Sequence, residues 1–185
     1  MPHIKIIRHE DATGELKVAY DNLVGSRGKV SNVMAIHSLL PETMTAHLEL
    51  YKSILFNKKG IDRKLAEMIA VTVSKSNKCE YCIHHHLEAL SHFLKDEVEL
   101  EKFLADPTSV EDEKLKVVVR YAQKLTLHPS EVIKNDIDEL LGLGYTDTEV
   151  LNIVLTINYF NFVNRNVLAL GVEFNQEELK GYKYS

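Results

Sequence analysis

The chain has no tryptophan, only two cysteines, four prolines and eight glycines in 185 residues. So few breakers leave little room for linker or low-complexity sequence, which points to one domain of ordinary size. Basic charge is not in excess either: the formal net charge is −5, with both signs interspersed. A nucleic-acid surface needs a basic stripe, so no nucleic-acid partner is expected. Long apolar runs are missing too. The richest segment, 150–163, is interrupted by Asn152, Asn158 and Asn161, and the opening MPHIKIIRHED has no apolar core. A bilayer span takes about 20 mostly apolar residues. Neither membrane association nor export is therefore expected, and the location reads as cytoplasmic. In that compartment a pair of cysteines is redox-active or metal-binding more often than a structural staple.

What the sequence does have is helical periodicity, and no segment alternates as a strand. Residues 1–11 read as an extended arm. Leu16, Ala19, Tyr20, Leu23 and Val24 then recur at helical spacing before Gly25 and Gly28, and a brief helical piece covers 33–39. Pro41 opens a helix to about Phe56 that turns Met44, Leu48, Tyr51 and Leu55 inward. Asp62 reads as the N-cap of a helix ending near Val73. Asn77, with Glu80 three residues on, reads as the N-cap of the next, which reaches about Leu94. A short acidic helix follows over 97–104. Ser109 then caps a helix to about Leu127, and Ser130 caps another ending at 142–144. Thr146 and Glu149 form a capping box for a last long helix that Gly171 stops after Leu170. The tail from Glu173 is polar, carries Tyr182 and Tyr184, and reads as loose or packed on a partner. The expectation is an all-α domain over 1–185 of about eight helices, with an extended N-terminal arm and a polar C-terminal tail.

Both cysteines fall in one stretch, EMIAVTVSKSNKCEYCIHHH, residues 67–86. On a helix, Cys79 and Cys82 at i, i+3 share a face, and His86, four residues after Cys82, stays on it. A thiol reacts as thiolate, and a helix N-terminus or a neighbouring imidazole lowers its pKa. A second thiol nearby converts a sulfenic acid into a disulfide before further oxidation. The set suits peroxide reduction or dithiol–disulfide exchange with no organic cofactor. The helix dipole favours Cys79 as the more acidic thiol and His86 favours Cys82; the closer imidazole decides for Cys82. Glu67 lies in the apolar run LAEMIAV, where an ionised carboxylate needs a partner. Alone it reads as part of a water-facing stripe with Lys64 and Ser74; beside a Cys–His pair it reads as a proton-relay group. Two other readings stay open, buried structural cysteines and a zinc site of Cys79, Cys82, His86 and Glu67. The zinc site would draw three ligands from one short helix, so no metal is expected. His84 points away from the cysteine face and His85 sits at its edge, both solvated or interfacial by position. Tyr81 and His85 are nonetheless candidates for a substrate-pocket wall. His37 and His47 read as partly buried. Asn158, Asn161 and Arg165 share a face of the last helix and need partners, on a neighbouring chain or on the cysteine helix.

The pattern of Glu67, eleven residues, Cys79-x-x-Cys82, three residues and His86 resembles the alkylhydroperoxidase AhpD core within the carboxymuconolactone decarboxylase family. The stretches SNVMAIHSLLP, SKSNKCEYC and NYFNFVNRNVLALGVEFN are similar to its peroxidase-related branch, so the resemblance extends over most of the chain. It implies an all-helical fold that assembles as a homo-oligomer, a trimer or hexamer, with the site near a subunit interface. It also implies a peroxide substrate and a separate thiol reductant. Cys82 would attack the peroxide, Cys79 would resolve the sulfenic acid, and His86 with Glu67 would relay the proton. The decarboxylase members lack the cysteine pair. The founding alkylhydroperoxidase has a histidine between its cysteines where this chain has Tyr81, a side chain able to donate to a peroxide oxygen.

Overall fold

A computed structural model describes residues 1–179, and Tyr182 and Tyr184 lie outside them. The described residues form nine α-helices and no strand: α1 (Gly14–Arg27), α2 (Asn32–Ala35), α3 (Pro41–Leu55), α4 (Arg63–Ser76), α5 (Glu80–Ser91), α6 (Glu97–Ala105), α7 (Glu113–Leu127), α8 (Lys134–Gly142) and α9 (Asp147–Leu170). None is long and apolar enough to cross a membrane.

Local signals set most boundaries. The Asp62 side chain accepts from the Leu65 amide at 2.8 Å, and the Thr146–Glu149 capping box closes as expected. Gly28 and Gly171 end α1 and α9 in the left-handed region, at φ 90° and 64°. Three caps differ from expectation. Ser109 and Ser130 lie in single 3-10 turns, and α7 and α8 begin later, at Glu113 and Lys134. The Asp112 carboxylate takes the capping role for α7, since an ionised acceptor at a helix start outcompetes a hydroxyl upstream. Asn77 caps no helix start; it closes the C-terminus of α4, and Cys79 is the residue that precedes α5.

Helix α4 is the centre of the molecule. Every residue from Leu65 to Ser74 is buried, because α5, α7 and α9 pack around it. Leu65, Ile69 and Val73 face a large core shared with α7 and α9; Met68 and Val71 face a second core with Leu90, Phe103 and Val119. A helix enclosed on all sides has no water-facing stripe. The reading of Glu67 as exposed beside Lys64 and Ser74 is thereby overturned: Glu67 and Ser74 are both fully buried. A third cluster joins α1 to α3 through Leu16, Tyr20, Leu23 and Met44.

The arm over 1–11 is tied down along its length. The His3 amide donates to the Leu170 carbonyl at 2.9 Å, the Ile7 amide donates to Ser38, and the Tyr20 hydroxyl donates to the Ile7 carbonyl at 2.7 Å. The tail is not loose either, as far as Leu179. Phe174 stacks on His84 with ring centroids 4.2 Å apart, and a 3-10 turn at Gln176–Leu179 buries Glu178 against the α2–α5 side.

Candidate active site

The turn between α4 and α5 places the cysteines, and side chains of α9 hold that turn. Lys78 adopts φ 56°, uncommon for a residue with a side chain, and the Cys79 amide donates to the Ser74 carbonyl at 2.9 Å. The Asn77 amide group donates to Asn161 Oδ1 at 2.9 Å and to Asn164 Oδ1 at 3.0 Å. Asn164 in turn donates to Ser74 Oγ, and Asn161 to Thr126 Oγ1. Of the two fates proposed for the α9 polar residues, Asn161 therefore takes the second, anchoring the cysteine turn. Asn158 is exposed and Arg165 reaches back to Asn161, so the three do not share one buried face. Asn164, which no sequence motif singles out, is fully buried and also interacts with the Cys82 thiol.

Both cysteines are buried and reduced. The Cys82 thiol hydrogen-bonds the Cys79 sulfur and lowers the Cys79 pKa against the opposing effect of burial, with a smaller contribution from the Cys82 amide. That same bond, with burial, raises Cys82 well above the usual thiol value. The ordering of acidity expected from i, i+4 spacing is thus reversed: Cys79 is the more acidic thiol. The groups that set the Cys82 proton are Cys79, burial and Asn164, and His86 is not among them. Access runs the other way. Cys82 lines a cavity of about 120 Å³ between α1, α3, α5 and α9, and Cys79 does not.

His86 shares the cavity wall. Its Nδ1 lies 2.7 Å from Glu67 Oε2, and Arg63 Nε donates to Glu67 Oε1 at 2.7 Å. Burial alone would raise the Glu67 pKa, but the charges and hydrogen bonds of His86 and Arg63 outweigh it and hold the carboxyl below its ordinary value. An ionised Glu67 accepts at both oxygens, so His86 donates through Nδ1. In the neutral ring Nε2 then carries the lone pair on the cavity side. Both Glu67 oxygens are taken by Arg63 and His86, and no three metal-ligating side chains converge among the described residues.

Tyr81 and His85, expected at a pocket wall, both line the cavity. The Tyr81 hydroxyl, however, donates to Glu178 Oε1 at 2.5 Å and accepts from the Val33 amide, so its proton is not directed at a substrate oxygen. The Glu178 carboxylate also accepts from Asn32 and lies 3.9 Å from His85. Burial would raise its pKa; these partners, led by His85 and Tyr81, lower it. Glu178 follows Tyr81 by 97 residues, a separation with no sequence signal. Arg63 did have one, its i, i+4 spacing to Glu67.

His47 and His37 form a second buried chain beside the cavity. Thr43 Oγ1 donates to the Leu40 carbonyl at 2.8 Å and so accepts from His37 Nδ1 at 2.9 Å. In neutral rings this makes His37 Nε2 the acceptor for His47 Nδ1 at 3.0 Å, and His47 Nε2 the acceptor for the Tyr159 hydroxyl at 2.8 Å. Burial, helped by His37, pushes His47 down to about 4 from 6.5. The folded value lies below the unfolded one, so the unfolded chain binds the extra proton in between. This contribution to stability is complete above pH 6.5 and is lost as pH falls towards 4, to a total of roughly 3 kcal/mol. His37, also lowered by burial, adds in the same direction. Denaturant midpoints measured between pH 7 and 4.5 should fall, and His47→Gln should flatten that slope; an unchanged slope would refute the assignment.

The fold and site together define an all-helical protein with a buried dithiol beside a Glu–His pair. Residues 41–124 match the model of the carboxymuconolactone decarboxylase family, and the fold is AhpD-like. The chain is 25% identical over 146 residues to the uncharacterized protein YdfG of Bacillus subtilis (strain 168), covering 77% of this chain and 96% of that one. The fold matches the crystal structure of an alkylhydroperoxidase AhpD core, a peroxidase-related protein from Ralstonia eutropha JMP134, with TM-score 0.84 and 20% identity over 96% of this chain and 94% of that one. It also matches a variant of the debrominase Bmp8 in complex with 2,3,4-tribromopyrrole, with TM-score 0.78 and 20% identity over 95% and 93% of the two chains.

Proposed function

We propose that the protein is a thiol peroxidase that reduces hydrogen peroxide or an organic hydroperoxide through a Cys79–Cys82 disulfide cycle. The observation that carries this reading is the division of labour between the sulfurs. Cys82 meets the cavity and holds the proton, while Cys79 lies behind it as the more acidic partner. When Cys82 attacks the terminal peroxide oxygen, an S–O bond forms, the O–O bond breaks and the Cys82 proton passes to the free Nε2 of His86, which Glu67 holds in orientation. His86 hands that proton on to the departing alkoxide, which leaves as the alcohol. Cys79 then attacks the sulfenic sulfur of Cys82 and its proton leaves with the hydroxyl as water, closing the disulfide. The two electrons come from the dithiol, and an external thiol reductant returns them. As in the resemblance drawn from the sequence, the working unit is a homo-oligomer.

The test is thiol titration of the purified protein before and after an equimolar amount of cumene hydroperoxide. Loss of both thiols, recovered with dithiothreitol, is the expected result. Thiols untouched by peroxide but oxidised by a bromopyrrole would move the chemistry to reductive dehalogenation.

A further inference from the structure

The cavity beside Cys82 carries more positive charge than peroxide reduction requires. Arg27, Lys29 and Arg63 line it, Lys29 already donating to the Glu178 carbonyl, and among the described lining residues the single carboxylate is Glu67, whose two oxygens already serve Arg63 and His86. Arg27 forms no ion pair among the described residues. Its guanidinium donates to the Tyr51 hydroxyl at 3.2 Å and lies over the rings of Tyr51 and Phe56, 5.0 and 5.9 Å from their centroids. Arg63 donates to the same hydroxyl at 3.1 Å, so two like charges share one neutral oxygen. The remaining Arg63 nitrogen, Nη1, is buried with no hydrogen-bond partner among the described residues. A buried donor without an acceptor is costly, and two guanidiniums converging with one carboxylate between them repel. Both costs persist unless something that enters the cavity offsets them. A neutral alkyl hydroperoxide can accept a hydrogen bond but brings no negative charge to set between the guanidiniums.

We infer that the substrate is an organic hydroperoxide that also bears a carboxylate, with the acid held by Arg27 and Arg63 Nη1 and the peroxide presented to Cys82. The inference rests on the peroxidase reading above and adds the substrate class. Guanidinium is the group suited to this task, because its planar fork matches a carboxylate in two parallel hydrogen bonds. The body of the ligand would lie against Leu23, Met34, Leu48 and Val163, apolar side chains on the same wall. Size limits that body. An enclosed cavity of about 150 Å³ accepts one benzene ring; this one, about 120 Å³ and open towards solvent, suits a single ring whose substituents reach its mouth, not a long acyl chain.

Two assays decide it. In the first, calorimetry compares the unreactive acid 4-isopropylbenzoate with its neutral amide. The acid should bind about tenfold or more tightly than the amide, and Arg27→Leu should remove that difference. In the second, cumene hydroperoxide is compared with its para-carboxylate in kcat/KM. The carboxylated substrate should be preferred by about tenfold or more at low salt, and the ratio should fall towards one in Arg27→Leu. Arg27→Gln, a polar replacement, is run alongside, with melting curves confirming that each variant folds. Equal binding of acid and amide, or a preference that survives both Arg27 variants, overturns the inference. If neither peroxide oxidises the thiols, the peroxidase reading falls. Acid binding that depends on Arg27 would then still support the anion site, and its absence would remove that as well.

Discussion

Cys82→Ser is expected to abolish peroxide consumption, with turnover falling on the order of 10³-fold or more, as is common when a nucleophile is removed. Serine keeps the size and a hydrogen-bond donor towards Cys79, but its hydroxyl is a far weaker nucleophile than a thiolate. Cys79→Ser should behave differently. Cys82 still meets the cavity, so it should still react once with peroxide, but no second thiol remains to close the disulfide. The sulfenic acid should then persist, open to trapping by dimedone and followed by mass spectrometry. Dimedone adduct on Cys79 in the Cys82→Ser protein, with turnover retained, would reverse the assignment and make the more acidic thiol the nucleophile. The two side chains thus test access against acidity, which point to different sulfurs.

The second large effect is structural. Glu67→Met should destabilise the protein by about 3–5 kcal/mol, the range for breaking a buried ion pair by removing one partner. For a chain of this size that lowers the melting midpoint by roughly 10 °C. Glu67 is 0% exposed and, among the described residues, is the only carboxylate bonded to Arg63 and His86, so the substitution leaves a buried guanidinium whose one described hydrogen-bond acceptor is Tyr51. Glutamine should rescue little. Both partners donate, and an amide offers one acceptor oxygen where the carboxylate offers two. Arg63→Met should cost less in the Glu67→Met background than alone, which a double-mutant cycle would read as coupling. Because the Glu67 pKa is depressed, its contribution is present above the unfolded carboxyl value and is lost as pH falls through the folded one. The acid limb of the stability profile should therefore shrink in Glu67→Met. A full limb in that variant would place the relevant carboxylate elsewhere, with Glu178 the next candidate.

Much of the site was legible because helix geometry is local. Cys82 and His86 share a cavity as their i, i+4 spacing implies, and Glu67 in an apolar run did signal a paired carboxylate. The same spacing misled on acidity. Sharing a helix face brings two side chains near each other, but it does not decide which neighbour a thiol proton points to, and Cys82 turns to Cys79. Tyr81 lines the cavity, but its hydroxyl proton is directed to Glu178, which arrives from the far end of the chain.

The sequence by itself determined the all-α class, the Asp62 and Thr146 caps, the stop at Gly171 and the dithiol–histidine face. Each depends on residues within about one turn of one another. Only the tertiary structure decided that α4 is enclosed on every side, that Asn161 and Asn164 hold the cysteine turn, and that Arg27 meets Arg63 over Tyr51. These follow from how helices far apart in the chain pack together. Packing is also what removes water, and without water the charge and proton positions at this site are set by whichever partners the fold brings within reach.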